Sequence, residues 1–502
     1  MPDLVERYAD QILGVLSCYD RVIVRGRLAE IDCAKGMALY LRAHGVRLFD
    51  FPQWAKPFRD EIRDNTERLA QEHGIEIRFV RGNERKETIV AEILEQRGGS
   101  PGLVAILSAL ELCESFEPRY DKKTAGSREA SPSNANKTGR TFLRPDRAKC
   151  THYYFYFLDE ELGLCYLRVS TWCPFDVQAY FNGHSVLASK LRKAGIAYEM
   201  YENAFTSIAD WQAAQALADA SDTRVLHEKL DQYARMFCPV IDSLGLRYQW
   251  NLAQVEYSTD LVFRSQADLS PVYDALVRTA VHTVKPENIR TVLGRTRPLH
   301  PHTKQEIGTD FQTRVQGTRV SHRMGPTSIK MYDKGGRILR IETTTYNPSW
   351  FRHYRTVAHR DGTTSHEMAP LKKSLYSLHD LRQLALAAHA ATSLSSPAST
   401  TPPSPSTPWL ISARRSKTRD VPTAASTSSR TKTCTCSRSL FAGRTPSRAS
   451  EMLTSASTCP TSPRARSRGC SNAYGPTTSS RRSGTRTSTT SPSSDVPPSS
   501  RA

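Results

Sequence analysis

From Ala391 to the C-terminus the sequence has nothing to fold with. Ser, Thr, Pro, Ala and Arg dominate, acidic residues almost vanish, and no apolar residue recurs at helical or strand spacing. Such a segment cannot bury enough apolar area to offset its chain entropy. Residues 391–502 therefore read as a disordered tail. The helical run Leu381–Ala388 stops abruptly before it, and the length of the segment also fits GC-rich DNA translated out of frame, so the tail is read as frameshifted. Whatever folds lies in roughly the first 390 residues.

The tail also distorts the charge. The formal net charge of +19 invites a nucleic-acid reading. Residues 391–502 hold sixteen Lys and Arg against three Asp and Glu, which is +13, so the body carries only +6. That total does not by itself make a phosphate-binding patch. The N-terminus Met1-Pro2-Asp3-Leu4 lacks the basic start and apolar stretch of a secretion signal, and no apolar run is long enough to cross a membrane. A cytoplasmic protein with no membrane partner is expected. None of the cysteines in the body forms a Cys-x-x-Cys pair, which argues against structural zinc and for reduced thiols. No glycine-rich phosphate loop opens a helix, so no nucleotide site is expected.

Apolar periodicity predicts an α/β N-terminal domain over 1–120. Its helices are Leu4–Leu16, Cys33–His44, Lys56–His73 and Lys86–Gln96; its strands are Arg21–Gly26, Ile75–Val80 and the apolar run Leu103–Leu107, which reads as central. A basic linker or loop follows over 121–150. Residues 151–245 combine an aromatic hairpin (His152–Phe157 and Cys165–Thr171) with helices at Val177–Ala194 and Trp211–Leu244. The aromatics of that hairpin offer a base-stacking surface, which keeps an RNA-binding reading open. Residues 246–390 read as an α+β domain with an antiparallel sheet.

This last region carries the most specific pattern. Tyr248–Arg264 reads as a long strand, in which Glu256 and Asp260 share a face because strand side chains repeat every two residues. Like charges on one face repel unless a cation compensates, and a hard divalent ion takes oxygen ligands. Gly335-Gly336 separates two alternating runs and signals a hairpin. A two-residue turn would pair Lys334 with Arg337, setting Asp333, Arg340 and Glu342 on one face and Tyr332 with Lys334 on the other. A one-residue bulge would unite them. Arg295, Arg297, Arg319 and Arg323 suit phosphate contact, with Lys330 and Arg340 beside them. His300-Pro301-His302 is a weak metal signal.

The succession of an acidic-x-x-x-acidic strand, Gly317-Thr318-Arg319-Val320-Ser321, Tyr332-Asp333-Lys334 and Arg340-Ile341-Glu342 resembles rolling-circle replication initiators. That resemblance implies nicking of one DNA strand through a tyrosine. It implies Glu256, Asp260 and Glu342 as ligands of Mg²⁺ or Mn²⁺, and Tyr332 and Lys334 as the catalytic pair. Tyr346 and Tyr257 are further candidates for the nucleophile. The body as a whole is similar to uncharacterised bacterial proteins, some labelled MarR-like regulators, which implies a C-terminal winged helix that this chain lacks as written. The expected function is a DNA-binding protein, a metal-dependent nicking enzyme or a non-catalytic regulator, with DNA rather than RNA as partner.

Overall fold

The computed structural model describes residues 2–97, 100–121, 140–220, 222–282, 308–314 and 317–394. Arg295, Arg297, His300, His302 and the tail from 395 onward lie outside the described residues.

In chain order, α1 (Pro2–Arg7) leads to β1 (Ile12–Leu28), α2 (Ala34–Ala43), α3 (Phe51–His73), β2 (Ile77–Phe79) and α4 (Lys86–Arg97). Then come β3 (Gly102–Asp121), β4 (Arg140–Asp159), β5 (Gly163–Ser170), β6 (Val177–Asn182), α5 (Gly183–Lys193), β7 (Tyr198–Tyr201) and β8 (Ala204–Ile208). Next are α6 (Trp211–Asp219), α7 (Thr223–Phe237), α8 (Val240–Leu244), β9 (Tyr248–Phe263) and α9 (Gln266–His282). The rest is β10 (Gly308–Arg314), β11 (Gly317–Met324), β12 (Thr327–Lys334), β13 (Ile338–Thr345), the hairpin β14 (Arg352–Ala358) and β15 (Thr364–Pro370), and α10 (Leu378–Leu394).

Among the described residues, eleven strands form one sheet in the order β10-β11-β12-β13-β9-β1-β6-β5-β4-β3-β2. All neighbours are antiparallel except β2 and β3. The sheet does not follow the divisions expected at 120, 150 and 245. The N-terminal strand β1 lies at its centre and pairs with β9, some 240 residues later. Residues 140–150 belong to strand β4 and are not a loop. The expected helix at Leu4–Leu16 ends at Arg7 and gives way to strand from Ile12, and the one at Val177–Ala194 begins as β6. Leu103–Leu107 is buried as expected, but in the strand next to the sheet edge. Helices 33–44, 56–73 and 86–96, the hairpin across Asp159–Gly163 and the long strand from Tyr248 are present.

One sheet face is largely apolar between its edge strands. Val22, Val24, Phe155, Leu167, Phe181, Val255, Leu261 and Ile341 are buried there against Leu41, Ile62, Phe237, Leu269 and Leu381 from α2, α3, α7, α9 and α10. The other face is covered in two patches. Ile89 and Val90 of α4 pack on Val104, Leu107, Tyr154 and Tyr156. Leu187 and Leu191 of α5, with Phe205 and Ile208 of β8, pack on Leu16 and Cys18. The polar residues of the centre stand between these patches. No described helix is long and apolar enough to cross a membrane.

Candidate functional site

Two departures from ideal strand geometry build the site. The first is the turn between β12 and β13. Lys334 pairs with Ile338, so the loop is Gly335-Gly336-Arg337, one residue longer than the tightest hairpin. Both glycines have positive φ, 62° and 73°, which a side chain would resist. Asp333 closes the loop by accepting from the Gly336 N–H at 2.9 Å. The extra residue rephases the second strand, so Tyr332 faces Arg340 and Lys330 faces Glu342. The two groups that a two-residue turn would have separated now share one face, and Asp333 points to the other.

The second departure is in β1. Tyr19 pairs with Tyr257 and Arg21 with Glu256, which leaves Asp20 as an inserted bulge residue. Alternation is suspended there, so Asp20 and Arg21 both turn to the face of Glu256. As a result Asp20, Glu256 and Glu342 can each offer one oxygen within 4.8 Å of the others.

Asp20 is held from every side. Its carboxylate accepts from Asn182 Nδ2 at 3.2 Å, His184 Nδ1 at 3.2 Å, and Asn203 Nδ2 at 2.9 and 3.1 Å. Arg340 Nη1 lies 3.4 Å away. Burial opposes its ionisation, but His184, Arg340 and Asn203 hold the carboxyl well below the usual range. His184 reaches this position because Gly183 lies against β1: a Cβ on Gly183 would sit 2.0 Å from the Tyr19 carbonyl oxygen. Burial and Arg340 disfavour a charged His184, while Cys18 and the hydrogen bonds to Asp20 and Asp260 favour it strongly. The balance holds its value well above the ordinary one, with Nε2 3.1 Å from Arg340 Nη2 and 3.7 Å from Asp260 Oδ2.

Beneath this layer, Arg340 is completely buried. Asp260 takes its Nε and Nη2 at 2.6 and 2.7 Å, and the Asn203 carbonyl accepts from Nη2 at 2.8 Å. This corrects two expectations. Arg340 has no surface to offer a phosphate, and Asp260, engaged with Arg340, is not in the acidic triad. Asp20 stands in its place. No local pattern marks Asp20, because it is distant in the chain from Glu256 and Glu342 and out of phase with its strand.

Above it lies an open cleft of about 340 Å³, lined by Arg21, Glu202, Glu256, Arg319, Lys330, Tyr332, Lys334, Glu342 and Tyr346 among others. Tyr332 donates to Glu342 Oε2 at 2.6 Å, and Lys330 donates to Oε1 at 2.6 Å and to Thr344 at 2.9 Å. Burial works against the charge on Glu342, but Lys330 and the Tyr332 hydrogen bond hold its carboxyl below the ordinary range. Burial, then the charge of Glu342, pushes the Tyr332 hydroxyl well up. Glu256 accepts from Gln254 at 2.9 Å and has Arg21 at 3.7 Å. Burial first, and Glu342 second, raise its carboxyl above the usual range. Lys334 is hydrogen-bonded to Asn203 and lies 3.0 Å from Glu202.

Compared with known protein families, with characterised proteins and with solved structures, the chain matches none of them.

Of the residues singled out in the sequence, Tyr332, Lys334, Glu256, Glu342, Arg319 and Lys330 line this one cleft. Tyr346 lines it too and is exposed. Tyr257 does not: it is buried on the opposite face beside Tyr19 and His389. Arg323 is exposed on the same strand as Arg319 but outside the cleft lining.

The acidic triad fits a hard divalent cation. Six-coordinate Mg²⁺ sets opposite oxygens roughly 4.2 Å apart, so small side-chain shifts would close these carboxylates on it. Burial first, and Glu342 second, disfavour the charged form of Glu256, a penalty that a bound cation would offset.

Proposed function

We propose that this protein acts on the phosphodiester backbone of DNA, cutting one strand in the cleft of Glu256, Glu342 and Tyr332. One observation carries the reading: a tyrosine hydroxyl donates to a carboxylate at 2.6 Å within a cleft that also bears two lysines, two arginines and two members of the acidic triad, Glu256 and Glu342. Asp20, Glu256 and Glu342 would hold Mg²⁺ or Mn²⁺, which supplies Lewis-acid charge to a phosphate oxygen when bound. The Tyr332 oxygen attacks phosphorus while its proton passes to Glu342, within hydrogen-bond reach as a base must be. The bond from phosphorus to one sugar oxygen breaks, leaving the strand joined to tyrosine, and the departing oxygen takes a proton from solvent. Arg21, Arg319 and Lys330 hold the charged backbone, and Lys334 adds fixed positive charge at the wall.

A second reading, DNA binding without chemistry, is favoured by the saturation of Glu342, whose two oxygens already accept from Lys330, Thr344 and Tyr332. One experiment separates the two. The protein is incubated with labelled single-stranded DNA and Mn²⁺, then denatured and run on a gel. A covalent protein–DNA band that disappears in Tyr332→Phe supports cutting. Binding with neither adduct nor shortened strand leaves the second reading.

A further inference from the structure

The cleft continues onto the centre of the sheet, between the two patches, over which no described helix packs. In β6, Gln178, Tyr180 and Asn182 alternate with buried Val177, Ala179 and Phe181. In β5, Tyr166 and Arg168 alternate with buried Cys165, Leu167 and Val169. Register sets Tyr180 between Tyr166 on one side and Ile23 on the other, with Arg21 opposite Asn182. The same face of β9 carries Gln254 and Glu256, so it runs unbroken from the cleft to Tyr166. From β13 to β5 there are four strand spacings, roughly 19 Å.

Two properties of this face point to one kind of occupant. The rings of Tyr166 and Tyr180 are stacked, with centroids 5.0 Å apart and planes 14° apart, and the Arg21 guanidinium lies 5.9 Å from the Tyr180 centroid. The charges are also layered. In the pairs Arg21–Glu256, Arg25–Asp176 and Lys330–Glu342 the cation is the more exposed partner, at 47% against 12%, 31% against 15%, and 22% against 4%. In these three pairs the carboxylate lies below a cationic tip. Four neighbouring pairs are inverted, with Glu114, Glu111, Glu202 and Asp310 more exposed than Arg25, Arg168, Lys334 and Arg319. Cationic tips beside flat, partly buried rings match a charged backbone carrying unpaired bases; a duplex keeps its base faces hidden.

We infer that the sheet face from Arg21 through Tyr180 and Tyr166 to Arg25 and Arg168 is a track for single-stranded nucleic acid, whose bases stack on the tyrosine pair while its backbone leads into the cleft. The inference rests on the nucleic-acid reading above and names its substrate class. It makes Tyr180 a binding residue about two strands away from the acidic triad.

The test is fluorescence anisotropy at fixed salt with labelled oligothymidine and oligouridine strands of about 20 nucleotides and with a duplex of equal length. The single strands are expected to bind more tightly than the duplex. Tyr180→Leu should weaken single-strand binding about five- to hundredfold, the size of one lost stacking contact. Tyr180→Phe, which keeps the ring, should stay within about twofold of wild type, less than the loss of one stacked base. Absence of single-strand binding by the wild type, duplex binding as tight as single-strand binding, or wild-type affinity in Tyr180→Leu would each overturn the track. Failure of the two proposals is distinguishable. Strand binding that depends on Tyr180 without any tyrosine adduct ends the cutting reading and keeps the track. An adduct that forms while Tyr180→Leu binds as wild type ends the track and keeps the cutting.

Discussion

Asp260 grips Arg340 through two hydrogen bonds, Nε to Oδ1 at 2.6 Å and Nη2 to Oδ2 at 2.7 Å, in a place neither side chain shares with solvent. Arg340 in turn reaches Asp20, so the pair sets the position of the acidic triad from below. Removing one partner leaves the other charge buried and uncompensated. Asp260→Asn is expected to cost about 3–5 kcal/mol, measured by urea unfolding. A loss under about 1 kcal/mol, the value of an exposed pair, would show that the buried guanidinium finds its stabilisation elsewhere.

Glu256 makes the opposite prediction. Its folded carboxyl is raised, so folding favours the protonated form, and that contribution is present below about pH 4.5 and lost as pH rises through the folded value. At neutral pH the ionised side chain therefore works against the fold. Without divalent ions, Glu256→Gln should melt higher than wild type. With Mn²⁺ at a hundredfold excess over its dissociation constant, wild type should gain about 2.7 kcal/mol and the variant much less. Equal Mn²⁺ stabilisation of both proteins would remove Glu256 from the ion's ligands.

His389 of α10 ties two strands together from the apolar side, meeting Thr259 Oγ1 at 2.8 Å and Thr343 Oγ1 at 3.0 Å. Burial lowers its folded value from 6.5 to about 3. The contribution is complete above pH 6.5 and falls as pH drops towards 3, because the unfolded chain takes up the proton first. The slope from this group approaches about 1.4 kcal/mol per pH unit. Stability measured from pH 7 to 4 should decline less steeply in His389→Gln. Parallel curves for the two proteins would assign the acid sensitivity to other groups.

Gly183 is required by contact, since any Cβ there would meet the Tyr19 carbonyl oxygen at 2.0 Å. Gly183→Ala must push the start of α5 off β1, taking Asn182 and His184 away from Asp20. A loss of about 1–3 kcal/mol is expected, together with weaker Mn²⁺ binding. Unchanged unfolding and unchanged Mn²⁺ affinity would mean that the bulge keeps Asp20 in place unaided.

The legible parts of the site were those that a single strand determines. Glu256 and Asp260 do share a face, because period two survives over that stretch of β9. Whether Tyr332 joins Glu342 depended on one loop residue, and the Gly335-Gly336 pair is compatible with either count. Asp20 was illegible because its partner strand is far along the chain and its own phase is broken. β1 itself was misread at both ends. Leu4, Tyr8, Ile12 and Val15 fall at helical spacing, and Asp20 and Arg21 interrupt the apolar alternation that marks a strand. Arg340 read as surface because nothing local announces that a neighbouring hairpin turn, through Asn203, will cover it.

The pairing of β1 with β9 has a further consequence in time. Among the described strands, residues Ile12 to Tyr19 pair only with β9, whereas Arg21–Gly26 also pair with β6. A ribosome adding about 5–20 residues per second needs roughly ten to fifty seconds to traverse the 240 residues between Cys18 and Ser258. For that interval the nascent chain carries an apolar half-strand with an unsatisfied edge, already anchored at its other half. Biogenesis of this fold therefore calls for something to shield that edge, and an interruption of synthesis anywhere before β9 leaves a product whose most exposed feature is a strand seeking a partner.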